Sequence, residues 1–253
     1  MNQFVNGASY LLRGTRLLTH KRILPFVIIP IILNIGLFYW GLSTLYEAFN
    51  TWLSQWIASI PEFLSFIGSV LRFLFIAAGL VIAAFSFTLF ANLIGSPFYG
   101  LMAEQVSKLQ HHTVAQPPMT LTFILALVKR TVWRELQKLL YYLARLIPLL
   151  LLWLILSFTP LAVVMPFIWF WFGAKMMTIQ YVDYGYDNDG RDFGQVKTGL
   201  KKDRLTDLGF GTVATVLSMI PLINILAVPA SVCGGTLYYV ERLTDRNNRT
   251  ELV

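Results

Sequence analysis

The chain has 253 residues, 56% of them hydrophobic and only 13% charged, with a mean hydropathy of +0.62. Soluble domains run at ~45–50% apolar and ~25% charged, so this composition excludes an ordinary water-soluble globule. The formal charge is +7, carried by basic residues that flank apolar runs; that placement fits membrane anchoring and contact with anionic lipid better than nucleic-acid binding.

Residues 1–22 carry Arg13, Arg16, Lys21 and Arg22 and no acid. Apolar residues recur at helical spacing over Phe4–Leu18, with the arginines on another face, which predicts an interfacial amphipathic helix. No uncharged core followed by a small-residue cleavage site precedes it, so the first apolar segment is expected to stay in the mature chain. Residues 23–46 form the first expected spanning helix, since ~20 apolar residues suffice to cross a bilayer. Pro25 and Pro30 fall in its first turns, and Tyr39, Trp40, Tyr46, Trp52 and Trp56 gather toward its far end as an aromatic belt does. Residues 73–103 are uncharged throughout and form the second expected span, with a break at Gly95-Ser96-Pro97.

Residues 104–145 hold six basic residues against two acids, whereas residues 47–72 hold Glu47, Glu62 and Arg72. Short loops rich in Lys and Arg stay cytoplasmic, which puts the N-terminus and 104–145 inside and 47–72 outside. Within 129–145, Arg130, Arg134 and Lys138 recur every fourth residue and share a helix face. Two readings of that face stay open: a solvated face with snorkelling side chains, or a charged lining at the mouth of an anion route. Glu104 and Glu135 are expected to pair with these basic residues.

Two long uncharged runs follow. Leu146–Phe172 is interrupted by Pro160 and Pro166, and Leu208–Val240 by Pro221, Asn224 and Pro229. Proline inside a helix removes a hydrogen bond and clashes with the preceding turn. Two shorter helices meeting at a proline corner satisfy the backbone better, so 146–174 and 208–240 are each expected to form a hairpin. Broken segments of this kind are tolerated at membrane depth where they are buried in protein or line a wet cavity, and they point to an ion or solute site. Residues 175–207, with six basic and six acidic residues punctuated by glycine, form an expected polar cytoplasmic loop with at most a short amphipathic helix, and 241–253 a polar tail. Asn92 and Asn224 lie inside apolar runs, where a side-chain amide needs an interhelical partner or lines a route.

The chain has no Gly-x-Ser-x-Gly, His-Glu-x-x-His, P-loop or dinucleotide glycine fingerprint, so neither an enzyme nor an ATP-driven subunit is expected. His20, His111 and His112 stand near no cysteine or acidic cluster of metal spacing, so neither a metal nor another cofactor is expected. Cys233, the single cysteine, sits in an apolar, small-residue setting and is expected to be a buried structural thiol.

Several motifs then converge in order: Phe26-Val27-Ile28-Ile29-Pro30; Ser96-Pro97-Phe98-Tyr99-Gly100-Leu101-Met102-Ala103-Glu104; Trp133-Arg134-Glu135-Leu136-Gln137-Lys138; Gln180-Tyr181-Val182-Asp183-Tyr184 with Asp187-Asn188; and Ile220-Pro221-Leu222-Ile223-Asn224 with Pro229 and Val232-Cys233-Gly234. Together they resemble the CysZ family of bacterial inner-membrane sulfate permeases, over nearly the whole chain. The resemblance implies an all-α integral membrane protein with two long transmembrane helices plus two proline-broken, partly inserted hairpins, forming one membrane domain over 1–253. It also implies a homo-oligomer in the bacterial inner membrane that takes up sulfate for cysteine synthesis, either as a channel or linked to protons. A non-transporting membrane scaffold of the same fold is the alternative.

Family members carry Gly-Leu/Ile-Arg, often with a second Arg, before the first span, and that arginine is associated with sulfate. Here Arg22-Ile23-Leu24-Pro25 occupies the place, so the cation is displaced by about two residues. The location carries over as Lys21, Arg22, Ile23 and Leu24. Sulfate is a dianion with four acceptor oxygens, and a helix start offers it free amides and the positive dipole end; Leu24 and Phe26 are the amides expected to be free. Membrane-edge anchoring is the competing role for Lys21 and Arg22. Arg130, Arg134, Lys138 and Arg145, with Glu104 and Glu135, would form the route lining or its charge network. Asp183 and Asp187 would be proton carriers if transport is proton-linked, and otherwise helix caps and salt-bridge partners.

Overall fold

The computed structural model describes residues 2–58, 70, 73–74, 76–79, 95–112 and 120–244. Those residues are helical with no strand among them, and four helices are long and apolar enough to cross a membrane. The protein is thus a multi-pass, all-helical membrane protein. It divides into two compact units, residues 1–28 with 96–253, and residues 29–95.

The smaller unit is described mainly through α2 (Leu24–Ala58), whose opening residues 24–28 belong to the larger unit. Thirty-five residues at 1.5 Å each make it roughly 52 Å long, well past a ~30 Å hydrocarbon core. Tyr39, Trp40, Tyr46 and Trp52 are exposed toward its far end. Ser43, Thr44 and Thr51 donate to carbonyls one turn back, which keeps their hydroxyls satisfied within an apolar helix. The expected second span falls mostly outside the described residues, as do Glu62, Arg72 and Asn92; from 95 the chain is helical, and 95–109 is labelled α3.

In the larger unit, α1 (Gln3–Leu17) is capped by Asn2, whose Oδ1 accepts the Phe4 amide. Its buried stripe, Gly7, Tyr10, Leu11, Gly14 and Leu18, keeps helical spacing, so the amphipathic pattern expected of an interfacial helix buries against protein here. α4 (Leu121–Leu156) is one continuous helix, α5 spans Met165–Asn188, α6 Phe193–Lys201, α7 Arg204–Ser218 and α8 Pro221–Tyr238. α1, α5, α7 and α8 pack together. Small residues let their backbones meet, as in other membrane bundles. A Cβ on Gly7 would lie 2.0 Å from the Thr206 carbonyl oxygen, and one on Gly211 would lie 1.9 Å from that of Ala174. Cys233 is fully buried in α8.

Both long apolar runs turn at proline, though not at every proline. The first ends α4 at Leu156, passes through a 3₁₀ turn over Pro160–Val164 capped by Thr159, and restarts as α5 with Pro166 in its first turn. The second breaks once, between Ser218 and Pro221. Asn224 and Pro229 lie inside α8 and do not interrupt it: Asn224 is exposed, and its amide donates to the Ile220 carbonyl. Pro229 forfeits one backbone bond, but the buried residues around it, Ala227, Ala230, Val232 and Cys233, hold the helix straight through.

Two expectations change here. The polar loop over 175–207 is instead helical for most of its length, because α5 continues through Asn188 and α6 and α7 follow after short turns. Polar residues at Gln180, Asp183 and Asp187 keep a helical repeat, so charge density alone misleads. The segment boundary expected at 145/146 falls inside α4.

α8 ends in a π-helical turn, Tyr239–Leu243, from which neighbouring side chains reach α1, the C-cap of α5, and α7 with its N-cap. Tyr238 donates to Asp207 (2.6 Å) and Tyr239 to Asp189 (2.5 Å), where His112 also bonds at 2.9 Å. Glu241 pairs with Arg13, and Arg242 with Asp203 (2.8 Å).

Candidate functional site

Two regions hold the polar groups that sequence reasoning selected. The first is the turn between α1 and α2. Lys21 and Arg22 are exposed there, Ile23 is buried and Leu24 is half exposed. The His20 carbonyl accepts both the Ile23 amide (2.8 Å) and the Leu24 amide (2.9 Å), and the Phe26 amide donates to the Ile23 carbonyl (3.0 Å). The amides expected to be free are therefore used. The turn that precedes α2 closes on itself and satisfies donors that a helix start would otherwise leave open. Any anion held here is held by side chains. Lys21 and Arg22 can do this: among the described residues neither has a carboxylate partner.

The second region joins α3, α4 and α5. Arg134, 8% exposed, faces Asp183, 1% exposed: its Nε lies 2.9 and 3.2 Å from the two carboxylate oxygens, and a terminal nitrogen lies 2.7 Å from one of them. Lys138 lies 2.6 Å from Glu135 and 3.4 Å from Asp183. Arg130 reaches Asp187 at 3.3 Å. Glu135 also accepts from Ser96 of α3 (2.8 Å), and from Tyr184 (3.2 Å) and Gln180 (3.2 Å) of α5. Lys138 stands 4.7 Å above the Tyr184 ring. Asn188 donates to the Gly100 carbonyl, tying α5 to α3.

The sequence places Arg130, Arg134 and Lys138 on one face, and the structure turns that face onto α5. It is buried at Arg134 and Lys138 and exposed at Arg130, and it carries no net charge, since three cations oppose three carboxylates. Glu135 pairs as expected, with Lys138. Glu104 does not join: it is buried and pairs with Lys108 one turn along α3. Asp183 and Asp187 are held by guanidinium groups, so a proton reaching either must compete with an arginine. Arg145 stands apart, stacked 3.4 Å from the Tyr141 ring centroid. Sequence reasoning missed Ser96, Gln180 and Tyr184 as network members. The signal for two of them was available, since Gln180, Asp183, Tyr184 and Asp187 recur at three- and four-residue steps in a helix.

The comparisons follow that geometry. A family model described as Sulfate transporter CysZ/Etoposide-induced protein 2.4 matches residues 10–229. The chain is similar to a protein of Pseudomonas aeruginosa named Sulfate transporter CysZ, 34% identical over 243 residues, covering 96% of this chain and 97% of the relative. A protein of the same name from Pseudomonas fluorescens is 34% identical over 248 residues, 98% of each chain. Another, from Pectobacterium atrosepticum, is 35% identical over 242 residues, 94% of this chain and 85% of the relative.

Proposed function

The chain belongs to the family of the sulfate transporter CysZ, and on that premise we propose that it carries sulfate across the bacterial inner membrane, supplying cysteine synthesis. The observation that carries the reading is full-length kinship with transporters named for sulfate, joined to a cation pair that has no carboxylate partner among the described residues, where the first long apolar helix begins. Lys21 and Arg22 offer only N–H donors and positive charge, which is what a dianion without protons can use. They are hydrated as well as charged, so the ion is attracted without being caged, and permeation needs release.

Further along the route, the neutral network of α4 and α5 would admit the anion by exchanging partners. Lys138 is the cation most readily lent, because Glu135 keeps donors from Ser96, Tyr184 and Gln180 when the lysine leaves. The bilayer depth of the first hairpin follows from its uncharged arms. Residues 146–156 and 165–174 rise roughly 16 and 15 Å as helix, about half of a ~30 Å hydrocarbon core, which suits insertion from one leaflet. The basic excess of 104–145 puts that leaflet on the cytoplasmic side. Assembly of several copies would complete the passage.

Flux of labelled sulfate into liposomes holding the purified chain tests this reading, with and without a proton gradient. Uptake that needs no gradient supports a channel, and uptake that rises with an inward gradient supports proton linkage. No uptake above empty vesicles under either condition overturns transport in favour of a scaffold.

A further inference from the structure

We propose that the groove between α4 and α6 is a binding site for an anionic phospholipid, with the headgroup phosphodiester held by Arg145 and Lys197 and the acyl chains laid along the outer face of α4.

An open groove of about 390 Å³ lies between Gln137, Leu140 and Tyr141 of α4 and Phe193, Gly194 and Lys197 of α6, with Arg145 at its edge, stacked on Tyr141. Its frame is rigid: Tyr141 and Phe193 meet edge to face at 5.4 Å and 90°, and Phe193 is buried. Two cations share the Tyr141 ring. The Arg145 guanidinium carbon lies 3.4 Å from its centroid, with a terminal nitrogen donating to the Tyr141 carbonyl at 3.3 Å, and Lys197 Nζ lies 5.6 Å from the same centroid and 5.2 Å from that of Phe193. Ring faces attract cations but leave their charge intact.

Charge matching separates this pair from the α4–α5 network. Arg130, Arg134 and Lys138 on the same helix all have carboxylate partners. Among the described residues, Arg145 and Lys197 have none. Asp192 also lines the groove, but its carboxylate is committed to capping α6: Oδ1 accepts the Gln195 amide at 2.9 Å, and Gln195 Oε1 accepts the Asp192 amide at 3.0 Å. Two cations against one carboxylate leave a single positive charge. A phosphodiester carries one negative charge and matches it, whereas a sulfate dianion would be left half neutralised.

Position supplies the rest. Arg145 is the last charge before the uncharged run that begins at Leu146, and basic and tyrosine side chains gather where headgroups meet hydrocarbon. Leu140, which lines the groove, and Ile147, Leu151 and Ile155, which follow it at steps of seven, four and four residues on the same side of α4, are exposed, an apolar track for acyl chains. Of the proposed function, the site uses only the insertion of the hairpin arm after Arg145; it does not use the identity of the transported ion.

Native mass spectrometry of the delipidated full chain in detergent tests the site, with phosphatidylglycerol and phosphatidylcholine of equal chain length as probes. The wild-type chain is expected to retain phosphatidylglycerol at least tenfold more tightly than phosphatidylcholine. Arg145→Gln with Lys197→Gln removes that preference. Asp192→Asn keeps a good helix cap and raises the local charge by one, so it tightens phosphatidylglycerol severalfold, a gain that misfolding cannot produce. Equal retention of the two lipids by the wild type overturns the proposal, as does full retention by the double glutamine variant or no gain from Asp192→Asn. Displacement of phosphatidylglycerol by inorganic phosphate or sulfate at millimolar concentration also overturns it, because the groove would then take a free anion. The readout is lipid retention, so a chain that moved no sulfate would still give the expected result.

Discussion

Asp183→Asn tests whether the α4–α5 network holds the fold. Asp183 is 1% exposed, and its two oxygens take three contacts from Arg134 and one, at 3.4 Å, from Lys138. The amide fits the same space but carries no charge, so Arg134 and Lys138, 8% and 6% exposed, lose a buried counterion. Leaving a buried charge unpaired costs ~3–5 kcal/mol; an amide still accepts one hydrogen bond, which favours the lower end. At about 2–4 °C per kcal/mol for a chain of this size, Tm in detergent should fall by roughly 6–12 °C. Arg130→Gln is the control. Its guanidinium side chain is 44% exposed and 3.3 Å from Asp187, so screening holds the loss to ~0–1 kcal/mol. In a double-mutant cycle, Arg134→Gln with Asp183→Asn should lose less than the sum of the single changes by about 2–3 kcal/mol, the upper range for residues in one network. A melting point for Asp183→Asn within about 2 °C of wild type, or equal to that of Arg130→Gln, would refute burial as the source of the effect.

Arg22→Ala should weaken sulfate binding by roughly 1–3 kcal/mol, the scale of a charged hydrogen bond, measured by titration calorimetry; unchanged affinity would move the site to the face of residues 130–145. Gly7→Ala should destabilise the chain by ~1–3 kcal/mol or more, read as a lowered Tm, because the new methyl meets the Thr206 backbone; a neutral result would mean that α1 and α7 are not in backbone contact. Tyr238→Phe leaves the buried Asp207 carboxylate short of a donor and should cost ~1–3 kcal/mol. Glu241→Gln, in a partly exposed pair, should cost less than ~1 kcal/mol, so thermal melts that reverse this order would sink the burial argument. In a Cys233→Ala background, a cysteine at Phe158 should escape an impermeant maleimide added from either side, since a half-inserted tip reaches neither surface. Labelling from outside would show a full crossing.

The corner at Pro160 is legible in the sequence because a serine, a threonine and a proline fall together after an apolar run, and Thr159 then caps the turn. Pro229 misleads because a local rule says a helix should stop there; the tight packing of its neighbours, which no local pattern displays, carries it through. The α5 continuation over 175–188 is hidden by charge. Lysine, aspartate and glycine in one stretch resemble a loop until their spacing is counted against a partner helix. The basic face of α4 is legible as a face, but its neutrality is not, because that depends on the register between α4 and α5, which sets Arg134 opposite Asp183. The closed turn at His20 is likewise invisible to a count of helix-start amides: it depends on which carbonyl the preceding residues present.

The two polar regions differ electrostatically in a way that matters for an anion in transit. Lys21 and Arg22 keep their charge but share it with water, and an exposed pair binds weakly and releases easily. The core of the α4–α5 network, Arg134, Lys138 and Asp183, is buried and would bind strongly if it carried spare charge, because attraction grows as water is excluded. It carries none, since every cation there is matched. A dianion buried against two unmatched arginines would be trapped, and one facing only carboxylates would be refused. On the proposed route, a neutral, densely hydrogen-bonded interior would avoid both outcomes and would confine selectivity to the groups proposed to exchange partners: Lys138, with its two carboxylates, and Glu135, with its three neutral donors.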